Sequence, residues 1–453
     1  MKLGQEPVGI VGAGPTGALL AVLLKRRGFS RVELYESRPD PRGAAAESGR
    51  SINLALADRG IHALQAAGAF QTLSPELLPM RGRLIHRLDG ATALQPYGQR
   101  PNEMIYSISR HRLNQALLDA AIRQHGVRVH FEHRFEAADF DAGVVQIRDL
   151  RRNRLYSVRM QPLLAADGAG SLMRRRMSAL GFIETHETDL EHGYKELSMP
   201  AAADGSHRMV RDALHIWPRG NFMLIALPND DGSFTATLFL PKHGAVSFEA
   251  LTQACAIERF FSCNFPDALA LMPDCIAEFQ AHPTGFLGTV SAGPWHHGGM
   301  TALIGDAAHA IVPFHGQGMN CCFEDCVEFD ACVGRHSSWE VALADFSATR
   351  KPNTDAIAAM SLENYSEMRE QVADPRFQLR QLLSLELERR FPRRFIPRYS
   401  MVMFHHEIDY QTAYARGTIQ AQLLNELTAG AASLAQVDFE RAAREIEARL
   451  TPL

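Results

Sequence analysis

Near the start of the chain, Gly12-Ala13-Gly14-Pro15-Thr16-Gly17 spaces its glycines as GxGxxG. That spacing permits a tight turn, close approach of backbone to a pyrophosphate, and close packing of a following helix whose N-terminus favours negative charge. Glu36 lies 19 residues beyond Gly17, where a carboxylate can accept hydrogen bonds from ribose hydroxyls. Together these residues point to a dinucleotide, with FAD and NAD(P) both open. Far downstream stand Ala166-Asp167-Gly168 and Leu303-Ile304-Gly305-Asp306-Ala307-Ala308-His309, each of which alone reads as a turn. Arg174, Arg175 and Arg176 form a basic run that reads as a solvated surface turn. The seven cysteines, at 255, 263, 275, 321, 322, 326 and 332, read as reduced thiols. Cys322 and Cys326 could share a helix face and take zinc, but no CxxC pair or HxxxH partner accompanies them.

These residues need particular elements to place them. Val8 to Val11 reads as a buried strand, Ala18 to Arg27 as a helix closed by Gly28, and Val32 to Glu36 as a second strand, a βαβ unit with parallel strands. Arg110 to Gln124 carries apolar residues at helical spacing before Gly126. Val127 to Phe131, Leu163 to Ala166 and Met300 to Ile304 are further strands, the last two running into Asp167-Gly168 and Gly305-Asp306. Between about Glu184 and Pro283 the strand candidates Leu214 to Trp217, Phe222 to Leu227 and Phe234 to Leu240, split by turn residues, predict an antiparallel sheet. From about Gly318 the chain reads as helical, with a break near Pro392 to Pro397. The expected fold class is α/β: a Rossmann-like dinucleotide-binding domain (1–183 and 284–335) interleaved with an antiparallel-sheet domain (184–283), plus a helical C-terminal region (336–453).

The chain has 453 residues, 46% of them hydrophobic and 22% charged, with a formal net charge of −4. This composition excludes disordered, collagen-like and disulfide-scaffold classes and gives no reason to expect nucleic acid or an anionic membrane as partner. The apolar stretch up to Leu24 is broken by Gly12, Gly14 and Gly17, so it reads as neither signal peptide nor membrane span. A soluble, cytoplasmic protein acting on small molecules is expected.

Joined by Pro313-Phe314-His315-Gly316-Gln317-Gly318-Met319-Asn320, the three motifs resemble the fingerprints of the class A flavin monooxygenases, the p-hydroxybenzoate hydroxylase fold. The resemblance implies FAD, with Asp306 on the flavin-side ribose and the Gly316 to Asn320 backbone beside the isoalloxazine ring. A helix start there would stabilise a reduced, anionic flavin. No second GxGxxG occurs, so no separate nicotinamide domain is visible; the resemblance implies NADPH as a transient reductant, with the Asp167-Gly168 region taking part in its handling.

Five further stretches are similar to the kynurenine 3-monooxygenase family in particular: Gly49-Arg50-Ser51-Ile52-Asn53-Leu54-Ala55-Leu56, Met80-Arg81-Gly82-Arg83, Leu94-Gln95-Pro96-Tyr97-Gly98, Leu362-Glu363-Asn364-Tyr365 and Phe395-Ile396-Pro397-Arg398-Tyr399-Ser400-Met401. The likeness runs from about residue 8 to 404. It implies that Arg83, Tyr97, Asn364 and Tyr399 contact the amino-acid end of L-kynurenine, that Phe314, His315 and Gln317 lie near its aryl-ketone end, and that Arg110 contacts FAD. Without the resemblance, Arg83 reads as a loop arginine and the two tyrosines as core residues bonded to backbone. His309 reads as a structural ring beside Asp306. Ala310 stands where the family commonly has proline, and Cys321-Cys322 replace different neighbours of Asn320. Eukaryotic members end in an apolar anchor, whereas Tyr410 to Leu453 is rich in charge, so no anchor is expected. The implied activity is hydroxylation of L-kynurenine to 3-hydroxykynurenine with O2 and NADPH, in tryptophan catabolism and NAD supply, with no catalytic nucleophile and no metal. The alternatives are a related hydroxylase acting on a modified kynurenine and a flavin-binding interaction module without turnover.

Overall fold

The computed structural model describes residues 7–43, 53–368 and 374–453. The chain divides into two compact units, one of Met1–Leu77, Ile108–Thr188 and Gly288–Ala358, the other of Leu78–Ser107, Asp189–Leu287 and Ala359–Leu453.

The first unit is built on a sheet ordered His296–His297, Thr301–Leu303, Leu163–Ala165, Val8–Val11, Val32–Glu36, Arg128–Phe131. All neighbours pair in parallel except the two-residue edge at His296–His297. Val8–Val11 is buried at every position, as a strand covered on both faces must be. The register sets Val11 opposite both Tyr35 and Ala165, and Ala165 opposite Leu303. Gly12, Glu36, Asp167 and Gly305 therefore all emerge at the carboxyl edge of one sheet, where open α/β sheets bind their ligands. Helix Pro15–Arg26 follows the first strand, with Gly17 through Leu24 all buried. The 18-residue helix Gly318–Arg335 packs against it. Helix Arg110–Asp119 continues through a π-helical turn, Ala120–Gln124, to the Gly126 stop.

The second unit carries a six-stranded sheet ordered His192–Met199, Phe234–Pro241, Met223–Pro228, Leu214–Pro218, Gly82–His86, Thr92–Pro96. It is antiparallel apart from the pairing of Leu214–Pro218 with Gly82–His86. Trp217, Leu238, Phe261, Phe265 and Phe279 fill the core between this sheet and helices Ala254–Asn264 and Cys275–Ala281. A second core unites Leu383, Leu387, Phe395, Leu423, Leu427, Ile446 and Leu450 of the C-terminal helices.

The unit borders differ from those expected at 183/184, 283/284 and 335/336. Residues 78–107 fall in the second unit, where Gly82–His86 pairs with a strand more than a hundred residues downstream, a contact with no local sequence signature. The last border, between Ala358 and Ala359, falls inside helix Trp339–Ser366, so the expected C-terminal region divides between the units. Among the described residues no helix is long and apolar enough to cross a membrane.

Candidate active site

The three glycines of the first loop do different work. Gly12 has φ +99°, and a Cβ there would fall 2.3 Å from the Ala166 carbonyl oxygen. A Cβ on Gly17 would fall 2.0 Å from the Gly12 carbonyl oxygen, so Gly17 lets the helix close on the loop. Gly14 is the contrary case, since a Cβ there meets nothing within 4 Å. It is also the N-cap of Pro15–Arg26, with no side chain bonded to the first-turn N–H groups. An open position at an uncapped helix start fits a pyrophosphate, so these residues suit a dinucleotide. Glu36 is buried, with Oε2 accepting from Ala13 N at 2.9 Å and Oε1 from Arg38 N and Nε, each at 2.9 Å. Burial alone would raise its pKa, but Arg38 and the two backbone N–H groups more than offset that and hold the carboxyl below its ordinary range.

Buried polar side chains hold the other two fingerprints. Asp167 Oδ2 accepts from Leu172 N at 2.9 Å, at the start of helix Leu172–Ala179. Burial raises the Asp167 pKa. Arg174 departs from the solvated reading: it is 1% exposed and donates to the carbonyls of Ala169 (2.6 Å) and Ala307 (2.9 Å) and to Glu187 (2.7 Å). It thus ties the Asp167-Gly168 loop to the Gly305-Asp306 loop, while Arg175 and Arg176 are exposed.

Asp325, which the sequence reading did not single out, is fully buried and accepts from Gly305 N (3.1 Å), His309 Nε2 (2.5 Å) and Arg350 Nε (2.8 Å). His309 also stacks on Trp295, so its ring is structural. Asp306 is left half-buried at the head of this braced turn. Asn320 spends its side chain on the fold, accepting from Ala57 N (2.9 Å) and donating to Ala55 O and Gly316 O (both 2.8 Å). That fixes Gly316, which is left-handed at φ +66°, before the Gly318 helix start, whose first turn carries no acidic residue. Arg110 opens its helix exposed to solvent. Cys321, Cys322 and Cys326 are buried, and burial pushes their thiols well above the ordinary range. Donor atoms of His309, Cys321 and Asp325 lie within 4.8 Å of one another, but Arg350 already pairs with Asp325 and reaches to 3.5 Å from Cys321 Sγ, a poor setting for a cation.

In the second unit, Arg83 stands on strand Gly82–His86, paired with Gln95 on one side and Leu214 on the other. It is 8% exposed, not the loop residue that its bare sequence context implies. Its guanidinium lies 4.9 Å from the ring centre of Tyr399 and 5.8 Å from that of Tyr97, and these rings stack at 5.5 Å and 14°. Among the described residues the nearest acid is Glu367, at 3.9 Å from Nη1, too far for a hydrogen bond. Arg83 Nε and Tyr97 Oη are buried with no hydrogen-bond partner among the described residues, so Tyr97 is not the backbone-bonded core tyrosine of its bland reading. Burial works against the Arg83 charge, and Tyr399, Tyr97 and Glu367 more than restore it. Burial raises the carboxyl of Glu367 despite Arg83 and Arg398 nearby. Asn364, in the last turn of Trp339–Ser366, is 4% exposed and reaches Met368 Sδ at 3.5 Å. Arg81, two residues before Arg83, is exposed and faces Asp212 at 3.7 Å.

A family model described as an FAD binding domain matches residues 5–332. A kynurenine 3-monooxygenase of Stenotrophomonas maltophilia (strain K279a) is 48% identical over 449 residues, covering 99% of this chain and 98% of its own. One from Xanthomonas campestris pv. campestris (strain 8004) is 47% identical over 444 residues, 98% of this chain and 97% of its own. The chain belongs to the kynurenine 3-monooxygenase family. Among solved structures, the p-nitrophenol 4-monooxygenase of Pseudomonas putida DLL-E4 matches at a TM-score of 0.66 with 18% identity, over 84% of this chain and 93% of that one, a likeness of fold.

The residues that the kynurenine 3-monooxygenase pattern singles out sort cleanly between the units. Gly12, Gly14, Gly17, Glu36, Arg110, Asp167, Asp306, Phe314, His315, Gly316, Gln317, Gly318, Met319 and Asn320 fall in the first, and Arg83, Tyr97, Asn364 and Tyr399 in the second. Of the family stretch at 49–56, Gly49, Arg50, Ser51 and Ile52 lie outside the described residues, while Asn53–Leu56 forms a strand. Glu367 went unnoticed in the sequence, and only its place three residues beyond Asn364 could have signalled it.

Proposed function

We propose that the chain is an FAD- and NADPH-dependent monooxygenase that hydroxylates L-kynurenine to 3-hydroxykynurenine, acting in the cytoplasm on small molecules alone. The observation that carries the substrate reading is the buried Arg83 guanidinium, bracketed by two stacked tyrosines and lacking, among the described residues, a hydrogen-bonded counter-charge. A buried cation in this state is poorly compensated, and a substrate carboxylate would supply strong charge-assisted bonds. Tyr97 Oη would add a phenolic bond and Asn364 an amide one. Glu367, close to Arg83 and opposite in charge, suits the substrate's ammonium group. Phe314, His315 and Gln317 remain the family pattern's assignment for the aryl-ketone end.

In the first unit, the Gly12–Gly17 loop and helix start would take the pyrophosphate, with Glu36 and Asp306 beside the riboses. The Gly316 to Asn320 backbone would face the flavin ring, its N–H groups favouring negative charge. FAD, when bound and reduced by NADPH, supplies the electrons that activate dioxygen. The ring carbon ortho to the substrate's amine is already electron-rich, so the chain's share is to orient the substrate and exclude water rather than to provide a nucleophile.

The test is NADPH oxidation with and without L-kynurenine, with the product identified by mass. Stimulation by kynurenine with a product heavier by one oxygen atom supports the reading. Stimulation only by a modified kynurenine points to the related hydroxylase, and an absence of turnover with any amino aryl acid overturns the assignment.

A further inference from the structure

We propose that Glu388 is a positioning residue for Tyr97, tethering the loop beyond Tyr97 to the C-terminal helix Pro375–Arg390 and so tuning affinity for the substrate's carboxylate. The proposal rests on the reading of Arg83 and Tyr97 given above.

Glu388 is 1% exposed, beside the stripe of Leu383 and Leu387 that packs into the C-terminal core. Burying a carboxylate there costs several kcal/mol unless it is paired, whereas an apolar side chain would fill the space without dehydrating a charge. Among the described residues its hydrogen-bond partners come from the loop after Tyr97. Gln99 Nε2 donates to Glu388 Oε2 at 2.9 Å and to the neighbouring Leu385 carbonyl at 2.8 Å. Arg100 Nη1 donates to Glu388 Oε1 at 3.2 Å.

A second buried carboxylate gathers the loop from below. Glu103 Oε2 accepts from Gln99 N (2.7 Å) and Arg100 N (2.9 Å), and Glu103 Oε1 pairs with Arg100 Nη1. A Cβ on Gly98 would fall 2.3 Å from Glu103 Oε2, so the carboxylate occupies the hollow that this glycine leaves. Tyr97 is thereby held on both sides along the chain. Its own N–H bonds to Arg81 O at 3.0 Å, and the next two residues but one are clasped by Glu103 and Glu388. The ring so held is the one that stacks on Tyr399 and lies over Arg83. None of Gln99, Arg100, Glu103 or Glu388 has a place in the cofactor loops, which lie in the other unit. The tether's effect is therefore on substrate affinity, and FAD retention is independent of it.

The experiment uses the FAD-loaded full chain and measures dissociation constants, by the substrate-induced change in flavin absorbance, for L-kynurenine and for an analogue lacking the carboxylate. Wild type prefers kynurenine, and Glu388→Ala loses about tenfold or more of that preference while FAD stays bound and kcat at saturating substrate stays within about twofold. Glu388→Gln, which keeps an acceptor for Gln99 and loses the charge facing Arg100, falls between. A merely structural glutamate would lower the melting temperature and leave the preference untouched, and that result in Glu388→Ala and Glu388→Gln overturns the tether. If Glu388→Ala fails to fold, Glu388→Gln and Gln99→Leu decide by the same criterion. A wild type without preference overturns the carboxylate reading and the tether together, whereas an intact preference unaltered by the variants overturns the tether alone.

Discussion

At the scale of single residues, the second unit sets two buried charge problems with opposite solutions. Arg83 has an acid beyond hydrogen-bond reach and a bare Nε, so it gains most from an incoming anion. Removing one partner of a buried charge pair costs about 2–5 kcal/mol, so Arg83→Met should weaken kynurenine binding by roughly 30-fold or more with FAD retained. A carboxylate-free analogue should bind wild type and variant about equally, and an unchanged preference for kynurenine in the variant would remove Arg83 from the site. Arg81 is a weak substitute, being exposed and already facing Asp212. The second problem is the pair His86 and His215, whose facing nitrogens are 2.8 Å apart, with Asp267 at 3.1 Å from His86 Nδ1 and the Val210 carbonyl at 2.8 Å from His215 Nε2. The Val210 carbonyl can only accept, which keeps the neutral His215 proton on Nε2, so a second proton on this ring would have to enter at Nδ1, buried against His86. Burial above all, with His86 beside it, lowers His215 to about 4. The unfolded chain takes up that proton near pH 6.5 and the folded chain only near 4, so this contribution to stability is full above 6.5 and is lost as pH falls through that window. Urea unfolding should show about 2 kcal/mol less stability at pH 5 than at pH 7.5 from this site, and His215→Phe should flatten that part of the profile. A profile that His215→Phe leaves unaltered would place the acid sensitivity elsewhere.

At the scale of elements, strands decide where chemistry can occur, because four parallel strands in register deliver Gly12, Glu36, Asp167 and Gly305 to one edge. The glycine loop then separates folding from binding. Gly14→Ala places a methyl in open space at an ordinary φ of −69°, so the cofactor-free protein should melt within a degree or two of wild type while FAD binding weakens sharply. Gly12→Ala must hold an alanine at φ +99° with its Cβ against the Ala166 carbonyl, and should lower the melting temperature of the cofactor-free protein itself. Equal melting losses in both variants would mean that Gly14 serves the fold and not a ligand. These elements were legible in the sequence because their signals are local: apolar runs ended by turn residues, and a glycine spacing tied to one mechanism. What escaped notice is made of distant partners. Asp325 reads as one acid among several on a helix, and its importance appears only where it meets Gly305, His309 and Arg350. Arg174 sits in a basic run like any surface turn, yet it buries itself to join two loops more than a hundred residues apart. The strand Gly82–His86, with buried residues at adjacent as well as alternate positions, lacks the period-two pattern that would have assigned it to the antiparallel sheet.

At the scale of the whole molecule, the alternation of segments lets one chain keep two sets of residues on separately built frameworks. The residues proposed for the cofactor all precede Ala358, and of those proposed for the substrate, Asn364 and Tyr399 lie beyond it in the second unit. Tyr399 lies on the short helix Arg398–Phe404, which cannot be stable alone at seven residues. Its approach is pinned by Gln420 Nε2 on the Ile396 carbonyl at 2.7 Å and by Arg416 Nη2 on the Arg394 carbonyl at 2.6 Å. Leu423, Leu427, Ile446 and Leu450 close the core over Leu383, Leu387 and Phe395. Cutting the chain after Met401 keeps Arg83, Tyr97, Asn364 and Tyr399 in the sequence but removes Arg416, Gln420 and the helices that pin the approach to the last of them. The truncated protein should therefore still take up FAD, since every loop of the first unit is present, yet show no kynurenine-dependent change in flavin absorbance and no hydroxylation. The measurement is an FAD titration of the truncated chain followed by kynurenine addition. Loss of FAD binding along with substrate binding would mean that the first unit needs the C-terminal helices to fold. Normal hydroxylation would mean that neither Tyr399 nor the helices behind it belong to the substrate site.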